Sequence, residues 1–150
     1  MAMKIKLWSD LTLDQKIARW SHAVDVIKGL TKHEIEKHFV MATWGEKTDC
    51  GTVGCAAGHC GLDPKFRRQG FKMNFDKRHE KYYDEDGVAR FYTYYTVKLS
   101  TQVGSFFGHD AYHRVFVNRT LLDIKPGEKS HTAVVKAMEK YLKELKSLKD

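Results

Sequence analysis

The stretch Asp49-Cys-Gly-Thr-Val-Gly-Cys-Ala-Ala-Gly-His-Cys-Gly61 gathers all three cysteines of the chain, one histidine and four glycines into thirteen residues. Glycine permits backbone geometries and close approaches that no side chain allows. Such a segment therefore either packs tightly against large partners or holds a site. Thr52 is an N-cap candidate for a helix over about Val53 to Cys60, with Gly61 as its C-terminal stop. Gly54, Ala57, Gly58 and Gly61 would then give a small helix able to press on Trp20 or Trp44, with Cys55 as a small buried hydrophobe.

The flanking sequence has clear periodicities. Thr12 to Gln15 reads as a capping box, and Leu13, Ile17, Trp20, Val24 and Ile27 recur at helical spacing up to Gly29. Thr31 and Glu34 repeat the box for a second helix through about His38. Asp63-Pro64 opens a basic helical turn that ends at Gly70. From Phe71 to Val97 the pattern becomes alternating, aromatic and β-branched around the turn Asp84-Glu-Asp-Gly87, which predicts an antiparallel hairpin. Ser100 is a cap candidate for a helix over Thr101 to Phe107, Gly108 breaks it, and His109 to Phe116 turns helical again. A loop is expected over Asn118 to Lys129. Val134, Met138, Tyr141, Leu145 and Leu148 then form one stripe of a final helix. With 150 residues, 42% of them apolar, the chain predicts one compact α+β domain over residues 1–150, with about five helices and a β-hairpin at about 71–97.

Charge and cysteine usage narrow the function classes. A net charge of +7 favours an anionic partner, either nucleic acid or an acidic protein surface. No apolar run approaches the ~20 residues needed to span a bilayer, and the first ten residues lack an apolar signal core. The expectation is a cytoplasmic protein without a membrane partner. There the thiols stay reduced or bind metal, although a Cys50–Cys55 bridge is one arrangement open to them.

Three readings compete. In the first, Lys65, Arg67, Arg68, Lys72, Lys77, Arg78 and Lys81 lead into a hairpin whose return strand carries Arg90, Tyr92, Tyr94 and Tyr95. Cations contact phosphates while tyrosines stack on bases, the general recipe for single-stranded nucleic acid. The bland counterpart is a ribbon with one face on the core and one solvated. In the second, Cys55 near a helix N-terminus is a thiolate nucleophile, with His59, His38 or His113 as base. The third is a structural metal module built from Cys50, Cys55, Cys60 and His59, but ligands five apart along one helix turn by about 140° and cannot all face one ion. His109 and His113 have the i, i+4 spacing of a metal pair without the glutamate of the zinc-protease motif. The leading expectation is a non-enzymatic binding protein without cofactor or metal.

Trp44, Cys50-Gly-Thr52, Cys55 and Gly58, followed by Phe106-Phe-Gly108, Phe116 and a terminal amphipathic helix, resemble a family of small bacterial and phage proteins. The likeness covers roughly residues 38 to 145. Cys60 and the tyrosine-rich hairpin depart from that pattern, which counts against a three-thiol metal site. The resemblance implies a phage or bacterial origin, hence the host cytoplasm if phage-encoded. It brings with it no activity.

Overall fold

The computed structural model describes residues 5–39, 41, 46–48, 51–53 and 55–149, with the side chains of 46–48 and 51–53 excluded. Trp44, Cys50 and Gly54, singled out above, lie outside the described residues, and with them the Cys50–Cys55 bridge and the packing against Trp44.

Two capping boxes set the first helices. Thr12 Oγ1 accepts from the Gln15 N–H while Gln15 Oε1 accepts from the Thr12 N–H, which starts α1 (Leu13–Lys28). Thr31 and Glu34 do the same for α2 (Lys32–His38). Two short antiparallel strands follow, β1 (Glu46–Thr48) and β2 (Gly51–Val53). The start of the next helix differs from the one predicted. Thr52 lies in β2 opposite Lys47, and α3 (Ala56–Leu62) is capped by Cys55, whose Sγ accepts from the Gly58 N–H at 3.5 Å. Asp63 both ends α3 and caps α4 (Pro64–Arg68), whose first residue is the proline that tolerates a missing N–H.

The hairpin consists of β3 (Met73–Tyr83) and β4 (Ala89–Leu99), paired from Met73 opposite Leu99 to Tyr83 opposite Ala89. Gly87 takes φ +76° in the turn, and Asp84 Oδ1 accepts from the Asp86 and Val88 N–H groups. The ladder reaches two residues past the expected Val97. Ser100, rather than capping a helix, accepts from the Lys72 N–H and donates to the Gly70 carbonyl, which ties off the open end of the ribbon. Next come α5 (Val103–Phe107), the short turn α6 (His109–Ala111) and a wider π-helical turn over Tyr112–Phe116. The expected loop at 118–129 instead contains α7 (Arg119–Leu122), capped by Asn118, and ends with the start of α8 (Glu128–Ser147). Val134, Met138, Tyr141 and Leu145 are buried as their stripe requires, whereas Leu148 is exposed beyond the helix end. The chain is thus an α+β fold in which the helical part holds the core and the hairpin is an appendage.

Trp20 sits at the centre of that core, fully buried, with its ring within 6 Å of those of Phe107, Phe116 and Tyr141. Its indole N–H donates to the Phe107 carbonyl at 2.9 Å, and the preceding residue, Arg19, donates to the Phe106 carbonyl at 2.9 Å. The last carbonyls of a helix have no intrahelical partner. Here α1 supplies partners for α5 across 87 positions of sequence. Trp20→Phe keeps much of the apolar volume but orphans the Phe107 carbonyl. The expected loss of stability is at least ~1–3 kcal/mol by urea denaturation.

Candidate functional site

Where the ribbon leaves the core its two faces diverge in chemistry. Residues directly opposite each other on antiparallel strands share a face. One face begins with the buried Met73 and half-buried Phe75, Val97 and Leu99, then continues outward as Lys77 opposite Tyr95, His79 opposite Thr93, Lys81 opposite Phe91 and Tyr83 opposite Ala89. The other carries Asp76, Arg78, Glu80, Tyr82, Arg90, Tyr92, Tyr94 and Lys98.

Much of the second face is paired within itself. Tyr92 and Tyr94 both donate their hydroxyls to Glu80, at 2.6 and 2.7 Å, and their rings stack on one another at 5.5 Å. Those hydrogen bonds, Tyr92 first, hold the Glu80 carboxyl below its ordinary pKa and push both phenols up. Arg90 pairs with Asp84 at 3.0 Å, and Arg78 lies 4.0 Å from Asp76. Of the cations and tyrosines expected to meet nucleic acid, Arg78, Arg90, Tyr92 and Tyr94 therefore have partners within the ribbon. Arg67 has a structural role. Its Nη1 donates to the Gly61 and Met73 carbonyls at 3.2 and 3.0 Å, binding α3 to the first residue of β3, so it anchors the ribbon from a half-buried position. Arg68 is exposed on α4, and Lys72 is half-buried at the ribbon's foot.

The first face joins Lys77 and Lys81, two of the expected cations, to Tyr83 and to Phe91, which its sequence position does not single out. Phe91 is 74% exposed and Tyr83 65%, the most exposed large apolar side chains of the ribbon. Lys81 Nζ stands 5.3 Å from the Tyr83 ring centroid, and Lys77 is four residues before Lys81 on the same face. No acidic residue of the two paired strands shares this face. The signal for it is strict alternation, because Lys77, Lys81, Tyr83 and Phe91 fall in one register only once the turn is placed.

At the ribbon's foot a cleft of about 700 Å³ is lined by Val97, Leu99, Val103, Gly104, His109 and Tyr112. A Cβ on Gly104 would stand 2.7 Å from His109 Nδ1, so a side chain there would displace the His109 ring. His113 is exposed beside the Tyr112 ring.

The cysteine segment has the opposite character. Cys55 is 1% exposed and Cys60 fully buried. Cys55 does receive helix N-terminal N–H groups, as the nucleophile reading requires, yet desolvation outweighs them and pushes its thiol up to about 11. Burial likewise raises Cys60. His59 is buried, stacks on Phe39 and donates Nε2–H to the His38 carbonyl at 2.9 Å, so that this nitrogen serves the end of α2. Cys55 is thus a protonated, buried N-cap thiol, as the packing reading expects; the cap itself is Cys55 rather than the expected Thr52. Among the described residues no three His, Cys, Asp or Glu side chains converge to hold a metal ion, and no helix is long and apolar enough to cross a membrane.

No family model, curated protein or solved structure matches this chain.

Two measurements check these electrostatics. Glu80→Gln removes the anionic acceptor that raises Tyr92 and Tyr94, so ultraviolet titration of tyrosinate should show their midpoints moving down toward the ordinary value near ~10. Unmoved midpoints would show that Glu80 does not hold the pair. For the thiols, peptide mapping after brief treatment with a thiol reagent at neutral pH should find Cys55 and Cys60 unlabelled in the folded protein and fully labelled in denaturant.

Proposed function

We propose that this is a non-enzymatic binding protein, of phage or bacterial origin as its motif resemblance implies, acting in the cytoplasm on an anionic macromolecule through its ribbon. Single-stranded nucleic acid is the partner whose chemistry fits best. The observation that carries this reading is the ribbon face bearing Lys77, Lys81, Tyr83 and Phe91, where cations without carboxylate neighbours on that face flank rings that are largely in solvent. Tyr83 and Phe91, largely in solvent, leave two ring surfaces free to accept a stacked partner. Lysines at this spacing meet backbone phosphates while the rings offer stacking surfaces to bases. The acidic residues Glu85 and Asp86 at the tip keep phosphates away from the turn and at Lys77 and Lys81, since a phosphate at the tip meets like charge.

With Arg67 anchoring the ribbon's foot and Arg78 and Arg90 standing beside Asp76 and Asp84 on the other face, few phosphates are neutralised and the salt dependence is shallow. Two contacts, from Lys77 and Lys81, correspond to about a sevenfold loss of affinity for a single strand between roughly 50 and 200 mM salt. Binding of an oligonucleotide measured by fluorescence anisotropy should follow that slope. Lys77→Glu with Lys81→Glu should flatten it, and Phe91→Ala should weaken binding by ~1–3 kcal/mol if one base stacks there. All three positions are exposed, so the melting temperature should stay put. Absence of binding at low salt would sink the nucleic-acid reading and make an acidic protein surface the partner to pursue.

A further inference from the structure

A second cationic site lies in the helical part of the molecule, and it does not depend on the reading of the ribbon. A cleft of about 370 Å³ is bounded by the segment before α1, by α1 and by α4, and Lys6, Gln15, Arg19, His22, Lys65 and Gln69 supply its polar lining. That volume falls within the ~300–1,000 Å³ usual for small-ligand sites. Arg19 is its built feature. The residue is 6% exposed, its guanidinium lies 3.7 Å from the Phe106 ring centroid, and Nη1 donates to the Lys6 and Phe106 carbonyls at 3.0 and 2.9 Å. A guanidinium has five N–H donors. Among the described residues no carboxylate pairs with this one. Burying a charge without a counter-ion is costly, and desolvation pulls Arg19 down to about 10, still cationic at neutral pH. Asp63, beside the cleft, accepts from His22 Nε2 of α1 at 2.7 Å and from the Lys65 and Phe66 N–H groups of α4, so its charge is held by both helices. Gln15 Oε1 accepts from Thr12, which leaves its amide N–H₂ as a donor. Leu11 and Ala18 add an apolar wall.

We propose that this cleft binds the phosphate of a small phosphomonoester, with Arg19 as the buried counter-charge, Lys6 and Lys65 closing over the anion, and Leu11 and Ala18 facing the organic part. Planar donors match phosphate oxygens, and charge-assisted bonds of this kind are the strong ones. A ligand that binds only the folded state raises its melting temperature.

The test compares inorganic phosphate, adenosine 5′-monophosphate and adenosine at ionic strength matched with chloride. Thermal shift should rise saturably with at least one of the two phosphates and not with adenosine or chloride. Arg19→Ala also loses two carbonyl contacts, so the informative variant is Lys6→Glu with Lys65→Glu at exposed positions, which should weaken binding by at least about tenfold. The ribbon variant Lys77→Glu with Lys81→Glu should bind like the parent. No saturable shift with either phosphate, an unchanged affinity in the Lys6/Lys65 variant, or loss in the ribbon variant would each overturn the assignment.

Discussion

The two hydrogen bonds from Arg19 and Trp20 to the carbonyls of Phe106 and Phe107 are the join on which the rest of the structure depends. Helix α5 has five residues, too few to be stable alone. It persists because α1 satisfies its terminal carbonyls and because Phe106 and Phe107 lie in a continuous group of rings with Trp20, Phe66, Phe71 and Phe116. Histidines do similar work elsewhere. His131 of α8 donates to the Ile27 carbonyl at 2.7 Å and His59 of α3 to that of His38, so the ends of α1 and α2 are each closed by a side chain from a different helix. Such long-range caps replace the length that short helices lack.

The ribbon answers a different constraint. A two-stranded hairpin is marginal in water without packing, and only its foot touches the core. Its outer part is held instead by cross-strand side chains on the face that carries Glu80, Tyr92 and Tyr94, together with the Arg90–Asp84 pair at the turn. Each exposed pair is worth little alone. Concentrating them on one side stiffens the ribbon while leaving the Lys77, Lys81, Tyr83 and Phe91 side without a carboxylate of its own. That division of labour directs the functional reading to one face of the ribbon.

Much of the fold was legible in the sequence because it rests on local rules. Both capping boxes, the Asp63-Pro64 start, the hairpin turn and the buried stripe of α8 follow from spacing alone. The misses arose where distant packing decides. Ser100 looks like a cap, yet the backbone of Gly70 and Lys72 claims it first. Asn118 to Lys129 reads as a loop because α7 is a single turn, below the length that periodicity detects. Of the site, the ribbon's location was legible but not which of its residues are engaged. Arg67, Arg78 and Arg90 look equivalent to Lys77 as cations along the chain. Only the register and the positions of Gly61, Asp76 and Asp84 separate them.

The cysteine and glycine segment, whose composition suggests chemistry, is better understood as a seat. A Cβ on Gly61 would stand 3.0 Å from the Met73 backbone nitrogen and 3.1 Å from its Cβ, so a side chain there would push α3 and the first residue of β3 apart. Arg67 then fastens the same two residues by their carbonyls. Cys55 and Cys60 fill the interior behind this contact as small apolar groups, which is why their thiols are pushed up rather than down. A nucleophile needs access and a stabilised thiolate; a seat needs small side chains and no water. The two demands are incompatible at one position, and here burial satisfies the second. Helix α3 thus serves to fix the foot of the ribbon on which binding is proposed to occur.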